Sequence, residues 1–358
     1  MNMIFGIPAA NAKAHNIKAT LLNDKQWQAL LNASSPVAAM NVVLNSAYGK
    51  YFSYNNLASD AQLKLREIEH TLYSSVIDIA KKLLRFMDGE TKTFFIAWLY
   101  KYELLNIKKA LRYNSSSERR DAHLEIADYN LESFALVKNV DWNNIESTQK
   151  IGTLLKHTFL GTAYRRALAA YTEKKDVYLF EITLEREYYK YIKTCCNNLD
   201  VFNRYTIEPI LKEFLDEIIV SSMLRLKYNY NIDDSTISTL IHGIRNSSIR
   251  SDDFWKILDA RTKTDSLEIL KKLGGKWNYI VDCNSLSNTI RALRKYRIQK
   301  YRKAVLIFDV SKISTILQLL CIKEQEVADI IAVLQAKRFK QELTAKQLIT
   351  VNDNAAAF

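Results

Sequence analysis

The sequence predicts an all-α protein. Only 8 glycines and 3 prolines occur in 358 residues, and folds that turn the chain often, such as β-sandwiches and barrels, need more of both. Apolar residues recur at steps of three and four along most of the chain, which places them on one face of a helix. No segment shows the sustained apolar and polar alternation that is typical of a half-buried strand.

The first long helix is predicted over residues 57–86. Ser59 or Asp60 is suited to cap its start, and Asp88-Gly89 to end it. Its apolar stripe consists of Leu57, Ala61, Leu65, Ile68, Leu72, Val76, Ile79, Leu83 and Phe86. A second helix follows after a short loop and carries Phe94, Trp98, Tyr102 and Leu105. We expect the two helices to form an antiparallel hairpin.

Two further helical pairs follow the first. Residues 173–199 and 205–228 form one pair, with Pro209 expected in the first turn of its second helix, where proline is tolerated. Residues 286–308 and 311–337 form the other. All three pairs are expected to bury their apolar faces against neighbouring helices.

The second helix of each pair ends in the same short pattern, over residues 103–112, 216–225 and 326–335. Each copy begins with an acidic residue and has a leucine eight positions later, and the copies are 113 and 110 residues apart. A weaker copy covers residues 16–22. We call these segments the motif copies. The ordinary interpretation of their acidic residues is a charge that is solvated or paired along its own helix.

A shorter, mixed helical segment follows the weaker motif copy and each of the first two strong motif copies. We call these three segments, residues 27–48, 131–164 and 237–273, the mixed segments. This recurrence predicts an internal triplication. We expect three similar helical units, 1–112, 113–225 and 226–358, arranged about a pseudo-threefold axis. Such an arrangement would enclose a central hollow.

The charge balance favours an acidic partner. The chain has 51 Lys and Arg against 39 Asp and Glu, a net charge of +12, which suits nucleic acid, an anionic membrane surface or an acidic protein. A basic, aromatic stretch supports a nucleic-acid binder, and its members are Arg291, Arg294, Lys295, Tyr296, Arg297, Lys300, Tyr301, Arg302 and Lys303. From the residues alone, such a binder and a helical-repeat scaffold for other proteins both stay open.

A search for catalytic residues finds none. Gly274-Gly275-Lys276-Trp277 lacks both the first glycine and the final hydroxyl of a phosphate-binding loop. The five histidines are isolated in sequence, and no H-E-x-x-H occurs. We therefore predict no catalytic, cofactor-binding or metal-binding residue.

The cysteines and apolar segments favour a cytosolic protein. The cysteines are Cys195, Cys196, Cys283 and Cys321. They include no C-x-x-C pair, and four are too few for a disulfide framework in so long a chain. The most apolar stretch, residues 304–322, contains Asp309 and Lys312 and is interpreted as a buried helix. We expect no signal peptide and no transmembrane segment.

Several motifs, taken in order, match one known family. Trp27-Gln-Ala-Leu30-Leu31 and Leu44-Asn-Ser-Ala-Tyr48-Gly49 resemble its opening segment. Asn106-Ile107-Lys108 with Leu111-Arg112 resembles its D/E-x-x-N-L-K-x-x-L-R helix, and Lys323-Glu324 with Glu326 its closing K-E-x-E helix. Asp329 and Gln335 depart from the pattern. The chain thus resembles the C subunits of bacterial and archaeal V/A-type ATPases, which are relatives of the vacuolar d subunits.

The resemblance implies a funnel-like, non-catalytic rotor protein for ion transport or ATP synthesis. Such a protein is peripheral and lies on the cytoplasmic side of the membrane. Its partners are the central-stalk subunits D and F and the rotor ring of the membrane, and it needs neither a cofactor nor nucleic acid.

Three basic residues near the ends of the motif helices are candidates for contact with a partner. They are Arg112, Arg225 and Lys337. If those helix ends surround the mouth of the funnel, the three cations would converge on one partner. The competing interpretation is that they are ordinary solvated charges, which contribute ~0–1 kcal/mol each even when paired.

Overall fold

The computed structural model of the chain describes residues 6–52, 64–115, 129–174, 176–242, 244, 248–280, 285–306 and 312–351. These residues contain fourteen α-helices and no strand, which confirms the all-α prediction. The helices are α1 (Gly6–Lys18), α2 (Asp24–Asn32), α3 (Pro36–Leu44), α4 (Leu65–Leu84), α5 (Gly89–Ser115), α6 (Thr148–Leu155), α7 (Gly161–Lys174), α8 (Val177–Asn197), α9 (Val201–Tyr228), α10 (Asp234–His242), α11 (Ser251–Asp259), α12 (Lys263–Lys272), α13 (Leu286–Leu306) and α14 (Ile313–Arg338). Short 3-10 helices cover Gly49–Tyr51, Glu132–Phe134, Trp142–Asn144, Gly275–Ile280 and Ala345–Gln347.

The chain divides into two compact units. Gly89–Leu293 forms the central unit, and Met1–Asp88 with Arg294–Phe358 forms the terminal unit. The three segments predicted from the repeat, 1–112, 113–225 and 226–358, stay a prediction, as does their pseudo-threefold arrangement. The antiparallel hairpin expected for the first two long helices also stays a prediction, because α4 belongs to the terminal unit and α5 belongs to the central unit.

In the terminal unit, α14 is the helix around which the others pack. It contacts α1, α3 and α4. Its sequence is apolar around nearly its whole circumference, which is typical of a helix in the middle of a core. The core formed with it includes Trp27, Leu30, Met40, Leu72, Val76, Val327, Ile330 and Leu334.

Helix α4 packs against α14 with the apolar stripe that the sequence predicts. In α4 the predicted stripe is buried at Ile68, Leu72, Val76 and Leu83. The predicted cap at Ser59 or Asp60 lies outside the described residues.

The two short helices before α4 begin at good capping residues. Asn23 forms a capping box with Gln26 at the start of α2. Ser35 caps α3, with Pro36 at its first position. These caps satisfy backbone N–H groups that a helix start leaves without partners.

In the central unit, α8 is the shared element and contacts α5, α7, α9 and α10. Helices α8 and α9 follow each other and pack together, which confirms the pair predicted for 173–199 and 205–228. The position predicted for Pro209 is wrong. Asp200 caps α9 by accepting the N–H of Asn203, so the helix begins at Val201 and Pro209 lies in its interior.

The acidic residues that begin the motif copies are buried, which corrects the expectation of solvated charges. Glu103, Asp216 and Glu326 are 2%, 1% and 0% exposed. Each accepts a backbone N–H from a short segment elsewhere in its own unit. A buried carboxylate needs such donors, because an unsatisfied one would cost several kcal/mol.

Glu103 and Asp216 each accept backbone N–H groups from the mixed segment that follows them in sequence. Glu103 accepts the N–H groups of Leu136 and Val137 at 2.6 and 2.8 Å. Asp216 accepts the N–H and the hydroxyl of Ser248 at 2.8 and 2.7 Å, and it also pairs with Lys276. The first two motif copies are thus bound by the mixed segments that follow them in sequence.

The third motif copy is bound by residues from the other end of the chain. Glu326 accepts the Leu22 N–H at 2.8 Å, the Tyr48 hydroxyl at 2.7 Å and the Lys323 ammonium at 2.9 Å. Of the donors to Glu326, the Tyr48 hydroxyl belongs to the segment 27–48, and the Leu22 N–H belongs to the weaker motif copy before it.

The mixed segments also share their local structure. The Ser46 and Thr158 hydroxyls each donate to the carbonyl three residues earlier and accept the N–H two residues later. A serine or threonine side chain caps one short helix in each segment, at Ser35, Ser147 and Thr262. These contacts recur in the mixed segments, and the triplication itself stays a prediction.

Candidate partner-binding site

The three candidate cations all lie in the last turn of a long helix. Arg112 is at the end of α5, Arg225 at the end of α9 and Lys337 at the end of α14. A cation is stabilised there by the partial negative charge of the helix C-terminus. Arg112 and Arg225 belong to the central unit, and Lys337 belongs to the terminal unit.

Within the central unit, the ends of α5 and α9 meet the start of α8 at a cleft of about 380 Å³. We call it the α8 cleft. Its lining residues are Arg112, Ser115, Val177, Tyr178, Glu181 and Tyr230. Helix α8 begins at this place because Asp176 caps it, accepting the N–H of Leu179. The structure thus brings Arg112 to a cleft that also contains a carboxylate.

Arg112 is paired with Glu181. Its Nε and Nη2 both donate to that carboxylate, the second at 2.6 Å. The Glu181 side chain is only 3% exposed, whereas that of Arg112 is 63% exposed. The hydrogen bonds that Arg112 donates to Glu181 raise the pKa of its guanidinium. Arg112 is therefore the counter-ion of a buried acid, although most of its own side chain is exposed.

Lys108 completes the charge compensation. Its ammonium lies 3.4 Å from a Glu181 oxygen and also pairs with Glu185 one turn further along α8. Two cations from α5 thus face two carboxylates from α8. Such a bidentate and networked arrangement is more favourable than an isolated surface pair.

Arg225 has a different environment. It is exposed, and its guanidinium lies near the Tyr178 hydroxyl. Burial raises the pKa of Tyr178 to about 12, although the Arg225 cation opposes the rise. The Tyr178 ring stacks on that of Tyr230, with centroids 3.9 Å apart and planes 7° from parallel. Tyr178 and Tyr230 line the α8 cleft, and Arg225 lies next to Tyr178 outside that lining.

Lys337 is bound to its own unit. Its ammonium donates to the Leu31 carbonyl at 2.6 Å, in the last turn of α2. That bond satisfies a helix-end carbonyl. The structure therefore places Arg112 at the α8 cleft and Arg225 beside Tyr178, and it gives Lys337 a local structural role.

Sequence reasoning missed Glu181, Tyr178 and Tyr230. Glu181 and Glu185 are four residues apart on α8, a spacing that usually indicates a solvated helix face. Their partners on α5 are about 70 residues distant in sequence, with 69 between Arg112 and Glu181. Only the packing of α8 on α5 reveals the pairing.

Several side chains of the basic stretch 291–303 are buried, whereas a nucleic-acid interface requires them to be exposed. Arg297 and Tyr301 are buried, with 8% and 1% exposure. Burial also lowers the pKa of Arg302. Leu293, Ile298 and Val305, which lie between the basic residues or just after them, are buried as well.

Two further findings concern the described part of the chain. It contains no cluster of three or more histidine, cysteine or acidic residues that could hold a metal ion. None of its helices combines the length and apolar character needed to cross a membrane. Cys195, Cys196 and Cys321 are buried and form no disulfide, and Cys283 lies outside the described residues.

Comparison with known proteins identifies the family. The ATP synthase (C/AC39) subunit family matches residues 10–347. The chain belongs to this family. It is also 22% identical over 331 residues to the C subunit of the A-type ATP synthase of Pyrococcus horikoshii, covering 90% of this chain and 84% of that protein. The resemblance drawn from the motifs is confirmed, and the C/AC39 match spans both units.

Proposed function

We propose that the chain is a non-catalytic central-rotor subunit of a V/A-type ATPase. It would couple the central-stalk subunits D and F to the rotor ring of the membrane, and it would lie on the cytoplasmic side as a peripheral protein. The observation that carries this proposal is the family match over residues 10–347, which leaves little of the chain for another activity.

The packing of both units supports a mechanical role. A protein that transmits torque must hold its long helices in place under load. The buried carboxylates of Glu103, Asp216 and Glu326 fasten α5, α9 and α14 to neighbouring segments by charge-assisted hydrogen bonds. Such bonds are roughly twice as strong as neutral ones.

Affinity purification tests the proposal. The full chain, tagged and expressed in the organism that carries it, is purified from detergent-solubilised membranes and its partners are identified by mass spectrometry. We expect subunits D and F and the ring protein, with the tag alone as the control. Recovery of RNA in place of these partners, with binding that falls steeply as salt is raised, would favour the nucleic-acid alternative.

A second measurement concerns catalysis. We expect the purified chain to hydrolyse no ATP beyond the buffer blank. Hydrolysis that follows the chain through two successive columns would contradict a non-catalytic role.

A further inference from the structure

We propose that the start of α9 contacts the lipid–water interface of a membrane, with Val201, Phe202 and Tyr205 entering between the lipid headgroups. We call these three residues the α9 patch. The inference rests on the proposed function for the presence of a membrane, but its experiment needs no other subunit.

The α9 patch presents contiguous apolar surface to water. Val201, Phe202 and Tyr205 are 75%, 51% and 79% exposed, and they lie within one and a half turns of the helix. The packed face of α9 lies elsewhere, at the fully buried Ile207 and Leu211. Single exposed apolar residues are ordinary, whereas a contiguous group of them indicates an interaction surface.

The repeat offers a comparison for this helix start. Counting back 113 residues, the spacing of the first two motif copies, leads from Phe202 to Gly89 and from Tyr205 to Lys92. Helix α5 thus begins without an aromatic residue at these positions. A motif helix can therefore start without such a patch, and the fold gives no reason for the patch on α9.

The α9 patch lies at the end of a helical pair. Helices α8 and α9 are joined by only three residues, 198–200. The α8 cleft is at the other end of α8, about 30 Å away at 1.5 Å per residue. An exposed end of this kind can enter a lipid interface without disturbing the packing behind it.

The area of the α9 patch favours lipid over a protein partner. A stable protein interface takes about 800 Å² from each partner. The patch exposes roughly 300–400 Å², judged from the areas typical of such side chains. This is too little for a second copy of the chain or another protein held by the patch alone. Insertion of a few aromatic and aliphatic side chains is enough for an interfacial membrane contact.

The charges beside the α9 patch cancel. Residues 197–205 contain one acid, Asp200, and one cation, Arg204. Asp200 caps α9 by accepting the N–H of Asn203, and Arg204 donates to the Asn197 carbonyl at 3.4 Å. The contact should therefore depend on apolar insertion and only weakly on salt or on anionic lipid.

The helix itself limits the depth of insertion. Pro209 is exposed and lies inside α9. Because proline has no N–H, the Tyr205 carbonyl lacks the donor that a helix normally supplies four residues later. Such a carbonyl is costly in hydrocarbon, so the contact stays at the level of the headgroups. Tyrosine is also favoured at that level.

Vesicle flotation tests the proposal. The full purified chain is mixed with phosphatidylcholine vesicles, and the bound fraction is measured at 50 and 500 mM salt. We expect binding that changes less than twofold between the two salt concentrations. The double variant Phe202→Ala with Tyr205→Ala should bind at least about tenfold more weakly, because the apolar area that enters the interface is lost.

A matched control removes the same two residue types elsewhere. Phe339 and Tyr279 are 70% and 53% exposed. The double variant Phe339→Ala with Tyr279→Ala should change vesicle binding less than twofold. Thermal melting shows that each variant is folded. Equal binding of the wild type and the Phe202→Ala with Tyr205→Ala variant would overturn the inference.

A site-specific label gives a second readout. In a Cys283→Ser background the three remaining cysteines are buried, so Tyr205→Cys can be labelled with the environment-sensitive dye NBD. Its emission should shift to the blue and rise in intensity when vesicles are added. The same label at Tyr279→Cys should not respond. No response at position 205, or equal responses at both positions, would overturn the inference.

The remaining outcomes separate this inference from the proposed function. If the wild-type chain does not float with vesicles but affinity purification recovers subunits D and F and the ring protein, only the inference fails. If the Phe202→Ala with Tyr205→Ala variant loses the ring protein in that purification and the label ignores vesicles, the α9 patch binds protein. If light scattering shows a dimer that this variant abolishes, the patch binds a second copy. Both results would overturn the inference. Failure of the purification contradicts the proposed function, whatever the vesicles show.

Discussion

The Tyr48 hydroxyl donates a hydrogen bond to the Glu326 carboxylate at 2.7 Å, although 278 residues separate the two in sequence. Glu326 is fully buried and also accepts the Lys323 ammonium and the Leu22 N–H. Burial, followed by the charge of Glu326, holds the pKa of Tyr48 well above its usual value. This bond joins the N-terminal segment to α14 and helps to close the terminal unit.

Tyr48→Phe should lower the free energy of unfolding by about 1.5–3 kcal/mol, since one hydrogen bond to a buried carboxylate is lost while the ring still packs. Urea denaturation measures the difference. Tyr51→Phe is the matched control, because the Tyr51 hydroxyl is buried with no hydrogen-bond partner among the described residues. Its removal should cause no loss of stability, because it breaks no hydrogen bond and relieves the burial of an unpaired hydroxyl. Equal losses in the two variants would show that the bond to Glu326 contributes nothing specific.

Asp329 should make stability fall as the pH rises. Burial raises its pKa above the ordinary 3.8, although hydrogen bonds from Thr350 and Ile349 oppose the rise. A carboxyl whose pKa is higher in the folded state binds a proton more tightly there. The free energy of unfolding therefore falls as the pH rises from the unfolded pKa through the folded one.

Asp329→Asn should remove that fall, and the amide oxygen can still accept from Thr350. Asn106 occupies the corresponding position in the first motif copy and accepts the Tyr129 N–H in the same way. Urea midpoints of the wild type and the variant at pH 4 and pH 8 give the measurement. Asp259→Asn, at an exposed carboxylate, should leave the pH dependence as it is. An unchanged slope in Asp329→Asn would refute the prediction.

Arg112→Ala should destabilise the chain by about 2 kcal/mol, because buried Glu181 loses two charge-assisted hydrogen bonds and keeps only Lys108 nearby. Arg225→Ala should cost less than about 0.5 kcal/mol, since Arg225 is exposed. Denaturant titration compares the two variants. Similar losses would contradict the different roles that we infer for the two arginines.

The buried thiols should resist alkylation in the native chain. Burial raises the pKa of Cys196 to about 11, and it also raises that of Cys195, so little reactive thiolate forms at pH 8. In a Cys283→Ser variant, N-ethylmaleimide should label none of the three remaining cysteines within minutes, and all three after unfolding in urea. Mass spectrometry counts the labels. Rapid native labelling at Cys195 or Cys196 would show that α8 opens locally.

The sequence by itself determined the helical class, the repeat of the motif copies and the family. Each of these depends on spacing along the chain. The helical class follows from apolar residues at steps of three and four, the repeat from an acidic residue eight positions before a leucine, and the family from motifs in a set order. The apolar stripe of α4 was predictable for the same reason. Local spacing also indicated that Arg112, Arg225 and Lys337 lie at helix ends.

Only the tertiary structure decided what the charges do. Glu103 and Glu326 looked like solvated helix charges, but the packing of distant segments buries them and supplies their donors. Arg112 and Arg225 are alike in the repeat, yet α8 provides a buried acid to one and a tyrosine hydroxyl to the other. The free energy of a charge depends on the dielectric and the partners around it, and partners that are many residues away in sequence are set by packing.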